Sequence, residues 1–174
     1  MKDKITLDRI KRLHPELVAE VEQMYDEIVS ALGDWVTCRF AHTLRTNAEQ
    51  DALYAQGRTV LFNKQGRKLP IVTKARGGES FHNYGLAIDI VLLVDRDRNG
   101  SFETASWNTR EDVDKDGKSD WMEVVAIFKK YGWEWGGDWS RFPDMPHFQK
   151  TFGLSIARLK TLTGGKGGTA FKLR

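Results

Sequence analysis

Residues 80–94 read Ser-Phe-His-Asn-Tyr-Gly-Leu-Ala-Ile-Asp-Ile-Val-Leu-Leu-Val, and one carboxylate, Asp89, interrupts an otherwise apolar run. The spacing from Leu86 to Val94 predicts a strand. Alternation places Ala87, Asp89, Val91 and Leu93 on one face, among apolar neighbours, where an unpaired carboxylate is costly to desolvate. Asp89 therefore needs a partner: a salt bridge, a set of backbone N–H donors, or a metal ion. His82 stands in a turn containing Gly85, just before the strand, where it can fold back toward the carboxylate.

A third donor comes from Phe142-Pro-Asp-Met-Pro-His-Phe-Gln, a short segment suited to a strand that carries His147. Two histidines and one carboxylate suit Zn²⁺ with a fourth position left open. Asp144 can bring a second carboxylate beside such an ion, placed to take a proton from water and return it to a leaving amine. Taken alone, Asp144 reads as a turn residue before Pro146.

The rest of the chain sets the frame. With 174 residues, 40% hydrophobic and 29% charged, it suits one globular domain, and no stretch approaches the roughly 20 apolar residues of a membrane span. Membrane insertion is not expected. The first residues, MKDKITLDRIKRLHPEL, lack the apolar centre of a signal peptide. The expectation is a protein made in the cytoplasm that reaches an external site of action by release. A lone Cys38 cannot form an internal disulfide. Net charge is +3 with scattered Lys and Arg, so nucleic acid is not an expected partner, and a monomer is expected.

Apolar spacing predicts a helix over Pro15–Leu32 and another over Trp121–Tyr131, and alternation predicts a strand over Val36–Leu44. Thr46-Asn47 can cap a short helix through Ala55 with Leu53 and Tyr54 facing inward. Residues 58–78 read as a long loop with a hairpin at Gln65-Gly66. His14, His42, Arg39 and Arg58 read as packing or surface residues, and the six Trp as mostly core. The expected architecture is α+β: helices on a small, mainly antiparallel sheet, in one domain over residues 1–162. Residues 163–174, rich in glycine, are expected to form a flexible tail.

Residues 95–123 form an acidic insertion. Within it, Asp112, Asp114, Asp116, Lys118 and Glu123 fit a twelve-residue calcium loop, with Gly117 at the sixth position and Glu123 at the twelfth. Ser119 stands where an aliphatic residue is usual, and no entering helix is evident. The competing reading is Asp120 capping a helix with Glu123 closing a capping box. Asp95, Asp97 and Asn99 form a partial copy of the pattern. Because the insertion lies between the two histidine segments, bound Ca²⁺ is expected to order a cleft wall and make activity calcium-dependent.

Ser80-x-His82-x-x-Gly85-x-Ala87-x-Asp89, with Gly136-Gly-Asp-Trp139 and Asp144-x-Pro146-His147-Phe148, resembles the zinc D-Ala-D-Ala and L-Ala-D-Glu peptidases that cut peptidoglycan stem peptides. The similarity covers roughly residues 36–150. The resemblance implies the D-Ala-D-Ala metallopeptidase fold, shared with Hedgehog-like domains, and one catalytic Zn²⁺ held by His82, Asp89 and His147. It implies that Asp144 is the catalytic carboxylate, that Arg45 engages substrate and the developing oxyanion, and that Ser80 contacts substrate. The motif spelling is closest to L-Ala-D-Glu endopeptidases of the endolysin or autolysin kind. The competing readings are a D-Ala-D-Ala carboxypeptidase or dipeptidase, a non-catalytic zinc-containing wall-binding module, and a calcium-controlled binding protein.

Overall fold

The computed structural model describes residues 2–173. Helix α1, Lys4–Ile10, starts at Asp3, whose carboxylate accepts Thr6 N–H, and α2, Pro15–Ala31, starts at His14, whose ring accepts Glu16 N–H. Strand β1 is Val36–His42, and α3, Asn47–Ala55, is closed at its start by a Thr46–Glu49 capping box. After a long loop and a short 3₁₀ turn at Phe81–Tyr84 comes β2, Ala87–Val94. Strand β3, Thr104–Ser106, α4, Asp120–Lys130, β4, Glu134–Trp135, β5, His147–Gln149, and α5, Ile156–Leu162, complete the order.

All strand pairs are antiparallel, in the order β1-β2-β5-β4. The free edge of β2 is shared: β5 pairs with Ala87 to Asp89, and β3 pairs with Leu92 to Val94. One end of the sheet thus carries the histidines, and the other carries the acidic insertion.

The core forms where α2 and α4 pack on each other and on the sheet. Leu17, Val21, Met24, Tyr25 and Ile28 recur at helical spacing on α2, while Ile88, Ile90, Leu92 and Val94 alternate along β2. Phe128 of α4 stacks on Phe148 of β5 with ring centroids 4.0 Å apart. Burial of each large side chain contributes roughly 1.5–3 kcal/mol. Truncating Phe128 to Ala would cost about 3–5 kcal/mol and loosen the strand that carries His147.

The α+β architecture and the main elements match the sequence reading, with differences that have physical causes. Helices α1 and α5 escape periodicity because each is only seven residues long. On α3 the buried side chain is Gln50, while Leu53 and Tyr54 are half-buried. His42 does not alternate into the core: the β1–β2 register shifts between Phe40 and His42, leaving His42 exposed beside Asp89.

Residues 163–173 are docked rather than extended into solvent. Phe171 packs on His14 and Tyr84, Gly168 N–H donates to Asn83 O at 2.7 Å, and Leu173 is buried. Glycine content signalled turns here, and the aromatic and aliphatic residues among them hold the segment down. Among the described residues, no helix is long and apolar enough to cross a membrane.

Candidate metal centre

His82, Asp89 and His147 converge. The 3₁₀ turn supplies His82, β2 supplies Asp89, and antiparallel pairing sets His147 of β5 directly opposite Asp89. His82 Nε2 and His147 Nδ1 each lie 3.0 Å from Asp89 Oδ1 and 3.3 Å from one another. Donors at the corners of a tetrahedron with ~2.0–2.1 Å metal bonds stand roughly 3.3 Å apart, so this triangle has the dimensions of a metal site.

Each ring is oriented by its second nitrogen. His82 Nδ1 meets Thr43 O at 2.7 Å, and His147 Nε2 meets Gln149 Oε1 at 3.2 Å. Both acceptors require an N–H, which leaves His82 Nε2 and His147 Nδ1 with lone pairs facing each other. Two facing lone pairs repel unless a cation or proton lies between them. Burial pushes Asp89 up, but the two imidazoles outweigh it and hold its carboxyl well below the usual range. Burial likewise works against a proton on His147, and Asp89 more than reverses this. Together the three side chains form a group able to hold a metal ion.

Two glycines explain the motif spelling. Gly85 ends the 3₁₀ turn at φ +67°, and a Cβ there would stand 2.7 Å from His14 N. A Cβ on Gly136 would stand 2.5 Å from Asp144 O and 3.2 Å from both the Asp144 and His147 β-carbons. Close approach by Gly136, together with Asp144 N–H donating to Gly136 O at 3.0 Å, fixes the loop that presents Asp144. Asp144 itself sits exposed on the rim. Partial burial of its carboxyl and the charge of Asp89 push it above the ordinary range, against the pull of His147, His82 and Arg45.

Arg45 reaches the centre from the segment after β1. Its Nη2 donates to Asp89 Oδ2 at 3.3 Å, and its Nη1 donates to Gln50 Oε1 at 2.8 Å. Gln50 is 1% exposed, and its own amide donates to Ala75 O at 2.9 Å, so α3 clamps the guanidinium. The sequence reading missed Gln50, for which the only signal was a polar residue on the inner face of a short helix. It also missed Thr43, Gln149 and the proximity of His42, whose Nδ1 lies 3.8 Å from Asp89 Oδ2. Ser80 caps the turn: its hydroxyl accepts His82 N–H at 3.3 Å, so it positions His82. Trp139 flanks His147, with ring centroids 5.4 Å apart.

The acidic residues lie elsewhere. Asp112, Asp114 and Asp116 do come together, and Lys118 Nζ lies 2.9 Å from Asp116 and 3.7 Å from Glu123. The Asp114 carboxylate, however, rests against Gly33 at the end of α2, next to the β1 residue Val36 that pairs with Val94. Five residues of β2, about 17 Å, separate that end from Asp89. The Asp112–Asp116 loop therefore lies away from the His82–Asp89–His147 group, because chain order between the two histidine segments does not dictate which end of a strand a loop occupies. Ser119 rather than Asp120 caps α4, accepting Met122 N–H.

Residues 73–150 match the family model described as D-alanyl-D-alanine carboxypeptidase. The chain is 53% identical over 105 residues to the peptidoglycan L-alanyl-D-glutamate endopeptidase CwlK of Bacillus subtilis strain 168, a match covering 60% of this chain and 55% of that protein. It is 36% identical over 91 residues to the L-alanyl-D-glutamate peptidase of Listeria phage A118, covering 52% of this chain and 26% of that one. The chain thus spans about half or less of the length of these relatives. The crystal structure of the Serratia marcescens L-Ala D-Glu endopeptidase ChiX shares the fold, with a TM-score of 0.51 and 22% identity over 86% of this chain and 88% of that one. The matched segment, residues 73–150, carries His82, Asp89, Asp144 and His147, so the similarity to the D-alanyl-D-alanine carboxypeptidase family falls on the residues that form the centre.

Proposed function

We propose that the protein is a zinc-dependent peptidase that hydrolyses the L-Ala-D-Glu bond of peptidoglycan stem peptides, acting at the cell wall after release from the cell that makes it. The observation that carries this reading is the triangle of His82 Nε2, Asp89 Oδ1 and His147 Nδ1, 3.0–3.3 Å on each side. Two imidazoles and one carboxylate oxygen form a donor set suited to zinc, and each ring has a fixed acceptor behind it. Similarity to CwlK and to the phage peptidase supports the choice of bond.

When bound, zinc supplies a Lewis acid that polarises a carbonyl and acidifies water. Asp144, on the rim, takes the proton of the attacking water and hands it to the leaving amine, and its raised pKa suits a group that must hold that proton in passing. Arg45 bonds Asp89 and keeps donors near the oxygen on which charge develops, while Gln50 prevents its guanidinium from swinging away. Ser80 acts indirectly by fixing the His82 turn.

Asp144→Ala tests the assignment. Full zinc content with most turnover lost is the expected outcome, and unchanged turnover removes Asp144 from the role. A purely structural zinc module would require neither Asp144 nor a clamped arginine.

A further inference from the structure

The acidic segment between β3 and α4 is the richest group of potential ligands outside the metal centre. Asp112, Asp114 and Asp116 each place one ligand oxygen within 4.8 Å of the others. The loop curls on its own carboxylates: Gly117 N–H donates to Asp112 Oδ2 at 3.0 Å, and Lys118 N–H donates to Asp116 Oδ1 at 2.8 Å. Those bonds use part of the acceptor capacity. Asp112 Oδ1, Asp120 Oδ1 and Glu123 Oε2 are buried atoms with no hydrogen-bond partner among the described residues.

Asp120 is the decisive one. It is 1% exposed, and its carboxyl turns back onto the loop, where Oδ2 accepts Val113 N–H at 2.9 Å between Asp112 and Asp114. The other oxygen, Oδ1, has no hydrogen-bond partner among the described residues. Burial, partly offset by the Val113 N–H, and the charges of Asp114 and Asp112 push Asp120 up to about 6. Burial and then the charge of Asp116 raise Glu123 as well. One ammonium, Lys118 Nζ, bridges Asp116 and Glu123 and offsets only part of this charge.

The neighbouring loop is a control built into the same chain. Both oxygens of Asp95 accept backbone N–H groups, from Asn99 at 3.1 Å and Gly100 at 2.7 Å, and Asp97 accepts the Asn99 amide at 2.9 Å. Asp95, Asp97 and Glu103 also come together, but among the described residues that group has no buried carboxylate oxygen without a partner, whereas residues 112–123 have three.

We propose that residues 112–123 bind one divalent cation of the calcium class through the carboxylates of Asp112, Asp114, Asp116 and Glu123 and the Lys118 carbonyl, with Asp120 facing the ion. Several hard oxygen ligands on a turn that contains Gly117 suit Ca²⁺ better than Mg²⁺ or zinc. On binding, Lys118 Nζ gives up its place between Asp116 and Glu123. The ion ties the loop that rests on Gly33 of the α2 end to the first turn of α4. Because this end of the sheet is remote from His82, Asp89 and His147, its effect is on stability rather than on the zinc centre. The inference does not depend on the peptidase reading.

The test uses the full chain, stripped of calcium and reloaded with zinc, with calcium chloride as the probe in titration calorimetry and in thermal unfolding. One ion per chain with a Kd between roughly 10⁻⁶ and 10⁻³ M is expected. At a hundredfold excess over Kd, Tm should rise by roughly 5–10 °C. Glu123→Gln and Asp112→Asn should each weaken binding at least tenfold, while Asp97→Asn should not. Zinc content and turnover well below Tm should stay unchanged throughout. Absence of binding up to on the order of 10 mM calcium overturns the proposal. So does an equal response to magnesium, or wild-type affinity in the Glu123 and Asp112 variants.

Discussion

Asp89 and His147 face each other across β2 and β5, and their side chains meet at 3.0 Å, Oδ1 to Nδ1. A ladder position, not a loop, therefore sets two of the three proposed ligands. Asp89→Ala should leave the core largely intact, because Asp89 lies outside the apolar cluster of the sheet. Zinc affinity should fall by at least about a hundredfold, since even partners behind metal ligands cost 10–100-fold when removed. Metal analysis of the purified variant after dialysis checks this.

Gln50→Ala should lower kcat by roughly 10–100-fold with zinc content unchanged, because Arg45 loses the acceptor that holds it and not its charge. Gln50→Glu, which keeps an acceptor at that position, should recover part of the loss. A fall in zinc content instead would show that Gln50 serves the metal and not the arginine.

Gly136→Ala should destabilise the protein by about 1–3 kcal/mol and depress turnover, because the new methyl would stand 2.5 Å from Asp144 O. Gly132→Ala is a comparison at a glycine where a methyl finds space, with Lys150 Cε the nearest atom at 3.9 Å, but where φ of +77° adds backbone strain. Gly132→Ala should therefore cost stability and leave turnover per folded molecule unchanged. Thermal unfolding paired with steady-state rates separates the two effects.

The strand, its interrupting carboxylate and both histidines were legible in the sequence because each rests on local rules: alternation along β2, a glycine that permits the Gly85 turn, and donor chemistry. What stayed hidden depends on three-dimensional adjacency. Gln50, a polar residue on a short helix, draws no functional reading until α3 is placed beside Arg45. His42 reads as a packing or surface residue, and only the register shift in β1 brings it out beside Asp89. The acidic insertion lies between two ligand segments in the chain yet occupies the opposite end of β2, which no periodicity reports. Phe171 docks the glycine-rich end on His14 and Tyr84, a contact spanning nearly the whole chain.

Asp3 gives a pH prediction. Burial pushes its carboxyl up, but hydrogen bonds from Arg39 and Thr6 outweigh this and lower its pKa below the ordinary 3.8. A depressed folded pKa contributes stability that is fully present above the unfolded value and lost as pH falls through the folded one. Asp3→Asn should therefore cost about 1–3 kcal/mol at pH 7. The gap between variant and wild type should narrow as pH drops below the ordinary carboxylate value. Denaturant unfolding at pH 7 and near pH 3 measures both.

The central claim is hydrolysis of the L-Ala-D-Glu bond by the His82–Asp89–His147 centre with Asp144. Purified peptidoglycan digested with the zinc-loaded protein and analysed by mass spectrometry of the newly formed termini tests it most directly. The account predicts new N-terminal D-Glu, dependent on zinc and lost in Asp144→Ala. Release of D-Ala with no new D-Glu terminus, or the same termini from the Asp144→Ala protein, would contradict it.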